Sequence, residues 1–82
     1  MSKPQEYYIL TTAHGGHNVA LFWGPDSGGY ETNIDKAGRY SKEEADRIVR
    51  LRGAEFMIPC EVVESRAVRM VYWDSVQEFV KQ

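Results

Sequence analysis

Two histidines three residues apart, His14 and His17, and a single cysteine, Cys60, are the residues of this sequence best suited to hold a metal or attack a bond. Imidazoles at that spacing bind transition metals, and Cys60 would supply a third ligand. A structural zinc site needs four ligands and a catalytic one usually three protein ligands, so the set is short. The same pair reads equally as solvated histidines flanking Gly15-Gly16 in a turn. Cys60 beside either histidine would form a nucleophile and a base, but nucleophilic catalysis also wants an orienting group. Its setting between Pro59 and Val62-Val63 fits a small buried core residue instead. A metal or thiol site at His14, His17 and Cys60 is thus the third reading; no cofactor is expected and the chain is not expected to be an enzyme.

Binding chemistry is better represented. Between Lys36 and Arg52 stand six basic residues (Lys36, Arg39, Lys42, Arg47, Arg50, Arg52) against three acidic ones (Glu43, Glu44, Asp46). Such a segment can contact phosphates, which makes a small nucleic-acid-binding module the alternative reading. It also reads as a solvated helix face with ion pairs, and the whole chain carries a net charge of −2, which gives no global attraction to nucleic acid. Neither glycine-rich stretch, His14–His17 or Gly24–Gly29, has the spacing of a phosphate loop. The aromatics Tyr8, Phe22, Trp23, Tyr30, Tyr40, Tyr72 and Trp73 are numerous for one small core, and Tyr, Trp and Arg anchor protein interfaces. Trp23, Tyr30, Arg39, Tyr40, Arg47 and Arg50 are therefore the expected partner-binding residues.

These residues need elements to carry them. The chain has 82 residues, 43% hydrophobic and 27% charged, which places it among folded single domains rather than disordered chains. One cysteine cannot cross-link a fold from within, so a reducing cytoplasm is expected. No apolar run approaches the ~20 residues of a membrane span. Residues 1–6 are polar and read as a flexible start to a domain covering 1–82. Tyr7–Ala13 and Val19–Trp23 have strand composition, joined by a glycine turn. Tyr30-Glu31-Thr32 is a short third strand, and Asn33–Gly38 an irregular turn capped by Asn33.

The strongest local signal is a helix from Ser41 to Arg52. Ser41 and Glu44 form a capping box, Ala45, Ile48 and Val49 give an apolar stripe, and Gly53 ends it. Pro59 stops the segment Phe56-Met57-Ile58. Cys60–Glu64 and Ala67–Trp73 read as two more strands, with Val68, Met70 and Tyr72 on one face. Asp74 caps a short final helix that buries Val76, Phe79 and Val80. The expected fold is α+β: an antiparallel sheet of about four to five strands, order β-β-(β)-α-β-β-α, with the main helix and a short C-terminal helix on one face.

The stretch Trp23-Gly24-Pro25, then Gly29-Tyr30, then Ala37-Gly38-Arg39-Tyr40-Ser41-Lys42-Glu43-Glu44-Ala45, resembles a group of small uncharacterised phage and prophage proteins. Ile58-Pro59-Cys60-Glu61-Val62-Val63 is similar to the segment that follows in many of them. The resemblance spans roughly residues 7–64 and carries over no catalytic residue. It implies a phage-encoded accessory protein in the host bacterial cytoplasm. By analogy of gene class it implies binding to a host protein or defence complex as an inhibitor of the anti-CRISPR type, with no membrane partner.

Overall fold

Tyr7-Tyr8-Ile9-Leu10-Thr11 offers large or β-branched side chains to both faces of a strand, a pattern that calls for cover on both sides. A computed structural model describes residues 4–16, 19–71 and 73–80, the side chains of 14–16 excepted, and in it this tract is the heart of the central strand. That strand, β1 (Glu6–Gly16), is antiparallel to all its neighbours. One edge is shared end to end by β4 (Tyr40–Ser41), which pairs with Glu6 and Tyr7, and by β2 (Val19–Trp23), which pairs from Leu10 onward. The other edge is filled by β5 (Glu55–Pro59), from Tyr7 opposite Pro59 to Thr11 opposite Glu55. β3 (Tyr30–Glu31) adds to the far side of β2.

Alternation along β1 divides the core in two. Ile9 and Tyr7 face one side with Trp23, Tyr40, Met57, and Ala45 and Ile48 of α1 (Lys42–Arg52). Tyr8 and Leu10 face the other with Phe22, Ile34, Ala37, and Cys60 and Val63 of α2 (Cys60–Arg66). Each helix therefore covers its own face of the sheet, whereas the main helix and a short C-terminal helix were expected together on one face.

The start of α1 is as expected. The Ser41 hydroxyl accepts the Glu44 N–H at 3.2 Å, the Glu44 carboxylate accepts the Ser41 N–H at 3.4 Å, and Gly53 closes the helix at φ 80°. The turn before it also matches, with the Asn33 side-chain oxygen accepting the Asp35 N–H at 2.9 Å.

The stretch from Trp23 to Tyr40 is largely architectural. Gly38 donates its N–H to the Trp23 carbonyl at 2.9 Å, and a Cβ on Gly38 would lie 2.6 Å from the Gly24 carbonyl oxygen. The Tyr40 hydroxyl donates to that same carbonyl and accepts the Ser27 N–H at 3.0 Å. It thereby fastens the turn Pro25–Ser27, in which Asp26 and Ser27 take left-handed φ values of 53° and 60°.

The C-terminal third departs from expectation. Cys60–Glu64 is helical because Cys60 and Val63, three apart, must both face Tyr8; a strand would put them on opposite sides. Glu61 in its first turn and Arg66 in its last suit the helix dipole. Residues 67–71 pair with no described strand, and Tyr72 lies outside the described residues. Trp73–Ser75 and Gln77–Phe79 are single 3-10 turns, and Val76, Phe79 and Val80 are exposed instead of forming a buried stripe. The second helix of the α+β fold is α2, not the tail.

Candidate protein-binding surface

The six expected contact residues do not share a surface. Trp23 and Tyr40 are buried, 6% and 5% exposed, in the core under α1, where burial of their rings stabilises the sheet and leaves little area for a partner. The Arg52 guanidinium lies over the Trp23 ring at 5.2 Å, a cation–π arrangement. Tyr30 is exposed at the sheet edge. Arg47 and Arg50 project from the outer face of α1, with Arg50 3.7 Å from Asp46.

Arg39 is engaged within the fold. Its Nε donates to Glu6 at 2.9 Å and its Nη1 to Glu64 at 2.7 Å and to the Tyr8 hydroxyl at 3.0 Å, with the guanidinium 5.5 Å from the centre of the Tyr8 ring. Tyr8 in turn donates to Glu64 at 2.7 Å. This cluster ties the first residue of β1, the loop before β4 and α2 together. Burial, then the hydrogen bond to Glu64, pushes the Tyr8 phenol up to about 12. The hydrogen bonds from Tyr8 and Arg39 hold the Glu64 carboxyl below the usual carboxylate range, and the two carboxylates raise the Arg39 guanidinium. Glu6, the first residue of β1, is held by this cluster.

Cys60 lies beneath this cluster, 2% exposed, with its thiol pushed up by burial. A protonated, buried thiol is a poor nucleophile and a poor metal ligand. His17 and the side chain of His14 lie outside the described residues. Among the described residues no three His, Cys, Asp or Glu side chains gather closely enough to hold a metal, and no helix is long and apolar enough to cross a membrane.

The surface that stands out is one the sequence reading did not assemble. The sheet face under α2 is only partly covered, since α2 has two turns and shields Tyr8 and part of Leu10. Beside it opens a groove of about 760 Å³ whose walls include Phe22, Ile34, Ile58, Val62, Val68 and Met70. Arg66, Arg69 and Asp35 also line it. Phe56, opposite Leu10 on the same sheet face, is 51% exposed. From the groove wall the chain runs on as an apolar segment: Val68, Met70, Val71, Trp73, Val76, Phe79 and Val80 are all exposed, Trp73 by 61% and Phe79 by 77%. The signal available in the sequence was the density of apolar residues from 56 to 80, which strand and helix periodicities absorbed as core.

No family model matches the chain, and no curated protein or solved structure matches it.

Proposed function

We propose that the protein acts by binding another protein through the groove beside α2 and the apolar segment 67–80. The observation that carries this is the run of exposed apolar side chains along the chain from Val62 through Val68, Met70 and Trp73 to Phe79, the first three of which line the groove. Exposed apolar patches of several hundred Å² rimmed by charge mark interaction sites. The resemblance to phage accessory proteins makes a host defence complex in the bacterial cytoplasm the first partner to try, with inhibition as the outcome of binding.

The test is a tagged capture from bacterial lysate, with and without nuclease, using the unmutated chain and the double variant Met70→Asp/Phe79→Asp. Both positions are exposed, so the variant should fold. Capture of one complex that survives nuclease and is lost in the variant is the expected result. Capture unaffected by the variant would move the binding surface elsewhere.

Nucleic-acid binding by residues 36–52 is the second reading, supported by the exposure of Lys42, Arg47 and Arg50 on α1. It predicts capture that vanishes with nuclease and an affinity that falls steeply with salt. Arg39 contributes little to it, being bonded to Glu6 and Glu64.

A further inference from the structure

The groove and the segment beyond it are complementary in kind. The groove is apolar with Arg66 and Arg69 along it. The segment 73–80 is apolar with Asp74 and Glu78 on its turns, and those turns pack mainly on each other rather than on the sheet or helices. None of these four charged side chains has an ion-pair partner among the described residues. The chain is drawn out to 54 × 33 × 19 Å with a radius of gyration of 15.2 Å. A packed domain of this length has a radius of about 12 Å.

We infer that the groove of one copy, whose wall includes Val68 and Met70, receives residues 73–80 of a second copy, and the reverse, in a two-fold dimer. This rests on the groove and segment being a protein-binding surface. A second copy is the favoured occupant because it supplies both halves at once. In a two-fold interface each patch meets its complement on the partner, so both grooves and both segments are satisfied in one step. Arg66 and Arg69 of each copy then face Asp74 and Glu78 of the other, and charge complementarity of this kind fixes the register of an interface. Trp73, Val76, Phe79 and Val80 are exposed on the segment, aromatic side chains carry ~150–250 Å² each, and each copy adds the lining of its own groove. A standard interface buries ~800 Å² per partner. Pairing leaves the outer face of α1 on both copies open.

The test is sedimentation equilibrium of the full chain over micromolar to millimolar concentrations, with circular dichroism to confirm folding. The unmutated chain should be a dimer. Met70→Asp/Phe79→Asp should weaken it at least about tenfold, through loss of the apolar contact. The decisive pair reverses charge: Arg66→Glu/Arg69→Glu in one variant, Asp74→Lys/Glu78→Lys in another. Each alone sets like charges against like and should be monomeric. Mixed in equal amounts they should form a heterodimer, because groove and segment again match in both directions. A dimer indifferent to all these changes uses another face and overturns the inference. A monomeric chain whose capture of a foreign protein is lost in Met70→Asp/Phe79→Asp also overturns it, while the protein-binding reading stands. A monomer that captures nothing removes both.

Discussion

Tyr40 was expected on a binding surface and is instead a fastening inside the fold, and Tyr40→Phe separates these roles. The ring stays, so packing against Ile9, Trp23 and Ala45 is kept. Only the hydroxyl goes, and with it two bonds: its donation to the Gly24 carbonyl and its acceptance of the Ser27 N–H. Gly24 is buried, so its carbonyl loses a donor without gaining water, at about 1–3 kcal/mol. The Ser27 N–H is part-buried and adds about 0.5–1.5 kcal/mol. The left-handed Asp26 and Ser27 are released toward other conformations, which offsets a little of the loss. A net cost of about 2–3 kcal/mol follows, against a total margin on the order of 4–12 kcal/mol for this length. With a urea m-value near ~1 kcal/mol/M, the midpoint should fall by about 2–3 M at unchanged slope, and the Ser27 amide should exchange faster. A loss under about 0.5 kcal/mol at the same slope would refute the clamp.

Four further outcomes are expected. Gly38→Ala should cost about 3 kcal/mol or more in the same titration, because its Cβ would lie 2.6 Å from the Gly24 carbonyl oxygen and 2.8 Å from the Tyr40 ring, neither of which can retreat. Ser41→Ala should cost about 1 kcal/mol and fray the first turn of α1, read as lost amide protection at Glu44. The Tyr8 phenol is raised on folding, so its contribution is complete below the ordinary value of 10.0 and is lost as pH climbs through about 12; stability should fall across that window, with one tyrosine in the phenolate absorbance titrating late, and Tyr8→Phe should remove the late step. Glu64 behaves oppositely. Its depressed carboxyl contributes above the usual carboxylate range and loses that contribution as pH falls through its lowered value, so Glu64→Gln should flatten the acid limb of the stability curve.

What could be read from the sequence was what short-range physics decides. The capping box at Ser41 and Glu44, the left-handed stop at Gly53 and the Asn33 turn involve partners within a few residues, and all three stand where expected. The first hairpin and the α+β class were legible from composition and alternation. Cys60–Glu64 was not, because Val62-Val63 has strand propensity and only the distant Tyr8 and Leu10 decide that Cys60 and Val63 must share a face. The role of Arg39 was hidden for the same reason, since Glu6 and Glu64 are far from it along the chain. The aromatic residues misled in both directions. Trp23 and Tyr40 are core, while Phe56 and Phe79, absent from the expected contact set, are exposed.

The position of β1 also governs when the molecule can exist during synthesis. The strand precedes all its neighbours in the sequence, yet the one that fills its second edge ends at Pro59, and Tyr7 pairs with that last residue. A nascent chain can close the β1–β2 hairpin early, but it carries an open hydrogen-bonding edge until Pro59 has left the ribosome. Two messages translated side by side would present two such edges together. A stall that keeps Glu55–Pro59 inside the ribosome should therefore raise aggregation of this protein more than one that comes after they have emerged and paired with β1.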